Sequence, residues 1–482
     1  MRYHPARVAL LKTLIASLVP LALLASSAGQ PTRRYDLVIA NGRVMDPESG
    51  LDAVRQVGIR GGTIEAISDA ALAGTRTIDA TNHVVAPGFV DLHEHGQQDE
   101  AYRMMVRDGV TSAFELEVGT GDVAAWYAAR AAGQIVNYGV AIGHIPARMK
   151  VLGDPGRGLL PAGVGGSGPA SETQLASIEA ILREGLAQGA VAMGFGSAYT
   201  PGATIAEIER MFRVAAAFDV PVHIHMRGGV PGLQETITAA AAARAPLHIV
   251  HVNSSGGDEL TQFLAIIQGA RDRGQDVTTE AYPYGAGMTE IQSALFDDWA
   301  TWSDDRFALH QLVSTGERLT RATFAKARSA GGTVIIHGRS EQQTRSAIAS
   351  PIAIIASDGF IENGRGHPRT SGTYARVLGR YVRDQGAVTL MDALRRMTVE
   401  PARRLERRTP AMAKKGRVRV NADADLTIFD PATVMDRATY ENALIPSAGI
   451  PYVVVGGQVV VDHGELMPAR PGRAIRAPIV PR

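Results

Sequence analysis

Eight short apolar runs separated by helical stretches constrain the fold of this chain more than any other feature. The runs cover 89–93, 111–118, 136–142, 190–195, 220–225, 247–251, 276–282 and 352–357, with helical periodicity between them, as at 171–188 and 205–218. Repeated strand-then-helix order makes a parallel sheet covered on both faces. The expected fold class is therefore α/β, as a closed (β/α)8 TIM barrel or an open doubly wound sheet. No glycine-rich phosphate loop follows the first run, which weakens the dinucleotide-binding version of the open sheet. A ninth apolar run, 333–336, falls in a long excursion of about 289–350 between the seventh and eighth strands. Inserts of that length at a barrel mouth read as lids or substrate walls.

The flanks are written differently. From 35 to 86, and again around 424–429 and 452–461, short β-like runs alternate with Gly and Asn-Gly turns. That is hairpin punctuation, and similar text at both ends predicts one small β domain, from 29–85 plus 400–482. The barrel is expected over 86–399. Ahead of both, Arg2, Arg7 and Lys12 lead into an apolar run ending in Ser26-Ser27-Ala28. A charged start, a short apolar stretch and small residues make a signal peptide, 1–28. The run is too short for a transmembrane anchor. The expected product is exported, periplasmic or secreted, with no stable membrane anchor. Removing the leader's three cations leaves 46 basic against 48 acidic residues, a net charge near −2.

Composition narrows the chemistry. The chain has no Cys, which removes disulfides and Cys-ligated zinc or iron–sulfur sites. Its near-zero charge argues against nucleic acid as a partner, and its 45% hydrophobic content excludes a disordered chain.

The histidines carry the strongest signal. His93 and His95 end the first run in Gly88-Phe89-Val90-Asp91-Leu92-His93-Glu94-His95. At a period of two, both imidazoles face one way and suit one metal. His225 and His251 end the fifth and sixth runs, 26 residues apart, about one strand–helix unit. Asp358 ends the eighth. C-terminal strand ends converge at the mouth of a barrel, where catalysis sits in that fold. Four His and one Asp at such positions are hard to attribute to chance. His144 ends the third strand and is placed to touch substrate or an oxyanion. His223, further from its strand end, reads as a satisfied core histidine.

These segments resemble the amidohydrolase superfamily, and specifically its D-aminoacylase (N-acyl-D-amino-acid deacylase) branch. Besides the His93-Glu94-His95 segment, the matching text is 195–202, Glu280-Ala281-Tyr282-Pro283-Tyr284, Ser357-Asp358-Gly359, His367-Pro368-Arg369-Thr370 and 422–426. The resemblance implies a barrel with a small β-sandwich domain built from both termini. It implies Zn2+, one or two per chain, with His93 and His95 on one metal and His225 and His251 on the other. Asp358 resembles the general base that deprotonates the attacking water, and can also lean on the metal. Arg369 would grip a substrate carboxylate, and Tyr199 and Tyr282 resemble substrate-facing phenols.

Two departures stand out. The branch carries a bridging Cys after the second strand, and other superfamily members use a carboxylated Lys; here the text is Glu115-Leu116-Glu117. Buried acids need a cation, so Glu117 is the expected bridge, Glu115 the second choice, and pairing of both with a buried Arg such as Arg148 the alternative. Asn253 stands where the branch often has a Lys that helps to hold the substrate carboxylate. The expected function is metal-dependent hydrolysis of an amide C–N bond in an N-acyl-D-amino acid or a D-residue-containing peptide. The alternatives are a cyclic amidase or imidase, hydantoinase-like or lactam-opening, and a non-catalytic metal- or solute-binding periplasmic protein. The expected partner is a small-molecule substrate, an N-acyl amino acid or short peptide; an oligomer is allowed.

Overall fold

The computed structural model describes residues 34–95 and 97–480, so the leader read at 1–28 lies outside the described residues. Eight parallel strands form one sheet: β1 (Phe89–Asp91), β2 (Val110–Thr120), β3 (Asn137–Gly143), β4 (Met193–Gly196), β5 (Val222–His225), β6 (Leu247–Ile249), β7 (Val277–Ala281) and β8 (Ala353–Ile355). Each pairs with the next in sequence, without the reversal of order that defines a doubly wound sheet. The two edges meet just beyond the strands. The His95 amide donates to the Gly359 carbonyl at 2.8 Å, and the Ser357 amide donates to Asp91 Oδ1 at 3.0 Å. The sheet is therefore a TIM barrel, and strand-end residues share its mouth.

The helices between strands start where the chain supplies caps. Glu172–Ala187 opens on a Ser171–Gln174 capping box, and Ile205–Ala217 opens on Thr204, whose side chain accepts from the Glu207 amide. Their apolar faces bury Leu182, Ile208 and Phe212 against strand residues such as Phe195 and Ile224.

Both flanks of the chain join one nine-stranded sheet, in which Val84–Pro87 pairs antiparallel with Leu426–Phe429 and parallel with Arg34–Asp46. Ile59 and Ile64 from its N-terminal half share a core with Leu426, Ile428 and Val454 from the other. The end of the chain leaves this sheet: the amides of Ile475, Ala477 and Val480 donate to carbonyls of Tyr138, Gly189 and Ala187 on the barrel.

The excursion between β7 and β8 folds as a unit. Gly287–Glu290, His310–Leu312 and Thr333–Ile336 form a three-stranded antiparallel sheet, the last strand being the ninth apolar run. Helices pack on it around Phe296, Trp302, Phe307 and Phe324, a core separate from the barrel's.

Candidate metal centre

His93 and His95 leave β1 with their rings edge to face, and their Nε2 atoms lie 3.1 Å apart. Each ring is fixed from behind by a buried carboxylate: His93 Nδ1 contacts Glu280, and His95 Nδ1 lies 2.9 Å from Glu115 Oε2. A proton on Nδ1 leaves the two Nε2 lone pairs facing each other, which repels unless a proton or a cation lies between them. His225 and His251 repeat the arrangement, with Nδ1 of the first 3.0 Å from Nε2 of the second. Zinc–nitrogen bonds of ~2.0–2.1 Å in a tetrahedron place ligand atoms about 3.3 Å apart, so both pairs fit a zinc ion.

Glu117 lies between the pairs. Its Oε2 is 2.7 Å from His93 Nε2 and 3.5 Å from His251 Nε2, and its Oε1 is 3.2 Å from His225 Nδ1. Two candidate ligand groups follow, His93–His95–Glu117–Asp358 and Glu117–His225–His251, and Glu117 belongs to both. The backbone makes this reach by a bulge: Glu115 pairs with Val140, yet the next registered pair is Thr120 with Ile142. Gly194 on β4 gives the bulge room, since a Cβ there would fall 2.5 Å from the Glu117 carbonyl oxygen. Burial pushes the Glu117 carboxyl up, but positive charge on His225 and His93 outweighs it and holds the group well below the usual carboxylate range. Glu115 is not between the metals' ligands. It orients His95 and accepts the amides of Val118 and Gly119.

Asp358 Oδ1 is 3.4 Å from Nε2 of both His93 and His95, and its Oδ2 is 2.8 Å from Arg369 Nη1. Burial opposes its charge, but Arg369 and His93 hold its carboxyl well below the ordinary range. Asp358 and His251 both sit at positive φ, 52° and 34°. Non-glycine residues in that region are strained, and such strain clusters where function holds it.

These groups form the floor of a cavity of about 340 Å3, lined also by Tyr199, Tyr282, Ser254, Phe360 and excursion residues that include Met288, Glu290, Ile336 and Arg339. Tyr199 and Tyr282 face it as expected. Three other expected substrate contacts lie elsewhere. His144 starts helix His144–Leu152, which turns its ring away from the mouth to stack on Phe195 at 3.9 Å and bond Glu207. Asn253 is buried, its amide exchanging hydrogen bonds with the backbone of Tyr282. Arg369 is 1% exposed and is packed behind Asp358, off the cavity wall.

The alternative pairing of the acids with Arg148 is also overturned, because that guanidinium holds both oxygens of Glu207. His223 is buried as expected, but neither ring nitrogen has a hydrogen-bond partner among the described residues; it stacks on His248 at 4.3 Å. Sequence reasoning missed Arg339 and the orienting role of Glu280. Glu280 lay in a quoted motif, two residues before Tyr282, but only the fold brings it to His93.

Residues 76–461 match the model of the amidohydrolase family. The chain is 30% identical to the N-acyl-D-glutamate deacylase of Alcaligenes xylosoxydans xylosoxydans, over 92% of this chain and 97% of that one. A solved N-acyl-D-glutamate deacylase from Bordetella bronchiseptica superposes with a TM-score of 0.80 at 26% identity, covering 92% of this chain and all of that one. It was crystallised with zinc and a phosphonate inhibitor mimicking the tetrahedral intermediate. A D-aminoacylase described as having a binuclear metal centre gives a TM-score of 0.76 at 26% identity, with the same coverage.

Proposed function

This chain belongs to the amidohydrolase family, and from that premise we propose that it is a zinc-dependent hydrolase that deacylates N-acyl-D-amino acids or D-residue-containing peptides. The observation that carries the reading is the position of Glu117, within 3.5 Å of ring nitrogens from both His pairs. A carboxylate there takes the place of a bridging ligand without any Cys.

His93, His95, Glu117, His225 and His251 would hold zinc, which would supply Lewis acidity to lower the pKa of a water and polarise the scissile carbonyl. The chain's own groups do the rest. Glu280 and Glu115 fix the tautomers of His93 and His95, keeping Nε2 available to the metal. Arg369 holds Asp358 Oδ2, so that Oδ1 alone is turned toward the cluster. Oδ1 takes the proton of the attacking water and returns it to the nitrogen of the leaving amine, serving as base and then acid. Export of the enzyme is proposed on the leader at 1–28 alone, and no helix among the described residues is long and apolar enough to cross a membrane.

Metal analysis of the purified protein, followed by rates on paired N-acetyl-D- and N-acetyl-L-amino acids and on a hydantoin, tests this reading. Zinc bound with the D series turned over fastest is the expected result. Preference for the L series or for the cyclic amide would overturn it.

A further inference from the structure

The opposite end of the barrel holds a second pocket, of about 320 Å3. The residues that lead into four strands line it: Pro221 before β5, Pro246 before β6, Asp276 before β7 and Pro351 before β8. These are N-terminal strand ends, whereas His225 and His251 lie at C-terminal ends, so this pocket and the metal centre open on opposite faces.

Five arginines line the pocket. Arg271 comes from helix Leu260–Asp272, and Arg403, Arg404, Arg407 and Arg408 come from helix Val399–Glu406 and the turn after it. Carboxylates neutralise three of them: Arg403 pairs with Glu48, Arg404 with Asp276 and Arg407 with Asp219. Glu400, the remaining acid on the wall, is held by Arg395 from outside the pocket. Among the described residues no carboxylate forms an ion pair with Arg271 or Arg408, so two cations lack a counter-charge.

Arg404 gives that charge a shape. Its side chain is 5% exposed, and Asp276 engages Nη1 alone. Nε and Nη2, which share the other edge of the guanidinium, are buried without a hydrogen-bond partner among the described residues. Arg408 Nε is likewise unpartnered, while its Nη2 donates to the Leu186 carbonyl at 3.0 Å. Burial holds both guanidiniums below their ordinary pKa, against the pull of Asp276 and Asp219. Tying down the segments before β5 and β7 needs only the pairs with Asp219 and Asp276. It leaves no use for the open edge of Arg404 or for Arg271. A buried donor edge left unmade is costly, and two parallel N–H groups match two oxygens of one oxyanion.

We propose that this mouth is a second ligand site, in which Arg404 binds two oxygens of a phosphoryl dianion and Arg271 and Arg408 balance its charge. A dianion matches the two unmatched cations, where a monocarboxylate leaves one over. Pro221, Pro246, Pro351 and Ile352 form an apolar rim beside the charges. The rim gives room for the organic part of a small phosphomonoester as well as for free phosphate. The site is independent of the deacylase reading, since it shares no lining residue with the metal cavity.

Calorimetric titration of the zinc-loaded full chain with inorganic phosphate, and separately with phenyl phosphate, tests this in a buffer free of other polyvalent anions. One binding event per chain at this mouth is expected, with a Kd of about 0.1–1 mM. Arg404→Lys keeps the pair with Asp276 but loses the fork, and should raise that Kd by about 10-fold. Arg271→Gln should raise it by about 3-fold or more while leaving the deacylase rate unchanged, and it decides alone if the Arg404 variant does not fold. Tighter binding of phenyl phosphate assigns the site to a monoester seated on the prolines, and tighter binding of phosphate assigns it to the free ion. Phosphate also has affinity for zinc, so an event whose Kd stays within about 2-fold in both variants belongs to the metal centre and overturns the proposal. The absence of a saturable event below about 10 mM, or its reproduction by sodium chloride at equal ionic strength, overturns it as well.

Discussion

The floor and the roof of the cavity are built by different means. The floor is made of residues at the ends of parallel strands, each backed by another buried group: His93 by Glu280, His95 by Glu115 and Asp358 by Arg369. The roof is a separately cored insert that reaches the barrel through contacts such as Arg339 with Tyr282 and Ser254. Rigid support suits a reaction that needs atoms fixed to fractions of an ångström. An insert with its own core can change its wall without disturbing that geometry. The difference predicts that floor substitutions act on kcat and metal binding, and roof substitutions on KM.

The largest effect is expected at Asp358. Asp358→Asn removes the proton acceptor but leaves a side chain of the same shape beside Arg369, and kcat should fall by about 10^3- to 10^4-fold with a much smaller change in KM. Steady-state kinetics on N-acetyl-D-leucine, with metal content measured in parallel, gives the answer. A loss confined to KM would place Asp358 with the roof.

Next is the dependence of zinc binding on pH. Burial lowers the His95 imidazole, but Glu115 and Asp358 outweigh it and raise the group to about 10, and carboxylates including Asp358 raise His93 as well. A raised imidazole keeps its proton until the pH passes its folded value, so near neutrality zinc has to displace it. Affinity should therefore increase with pH, by about 10-fold per unit for each proton displaced. Chelator-buffered zinc titrations about one pH unit apart measure the slope. A flat profile would mean that the floor is preset for metal without proton exchange.

The roof can be weakened at its core. Phe324 is fully buried among Phe296, Trp302 and Phe307, and truncating such a side chain costs about 3–5 kcal/mol. Phe324→Ala should loosen the excursion, raising KM several-fold and exposing 289–350 to early proteolysis, while bound zinc stays at the wild-type level. Loss of zinc in that variant would show that floor and roof fold as one.

The same division explains what could be read from the chain. All eight barrel strands and the excursion's last strand fall on apolar runs, because a buried strand writes itself locally as consecutive apolar residues. His93, His95, His225, His251 and Asp358 were readable because a strand end fixes which side chains face the mouth. Adjacency to a strand end is not sufficient, because the segment that follows decides where the side chain turns. His144 follows β3 directly, yet the helix starting there turns its ring onto Phe195. Asn253 and Arg369 are set by partners 29 and 11 residues away, Tyr282 and Asp358, which no local period encodes. Glu117 was favoured over Glu115 for its place along the strand. The bulge that carries it between the His pairs is a matter of register with β3, visible only in three dimensions. Arg339 is the extreme case, since its relevance depends wholly on how an insert docks.

The smallest effect is expected at Tyr199, the joint between the two regions. It follows β4, its ring lies 4.5 Å from that of His225, and its hydroxyl accepts from Thr289 Oγ1 of the excursion at 3.3 Å. Burial raises its phenol well above the ordinary value, so the hydroxyl stays neutral and keeps a proton to donate. If that proton serves only to line the roof, Tyr199→Phe loses one long hydrogen bond and retains the packing on His225. Rates should then change by about 2- to 10-fold, mainly through KM. A donor to the developing oxyanion would cost much more, about 10^2- to 10^3-fold in kcat. No hydroxyl contact to the metal ligands is present among the described residues, and the bond to Thr289 ties the group to the insert, so the small KM effect is the expected one. A kcat loss of the larger size would move Tyr199 from roof to floor and make the boundary between selection and chemistry pass through its ring.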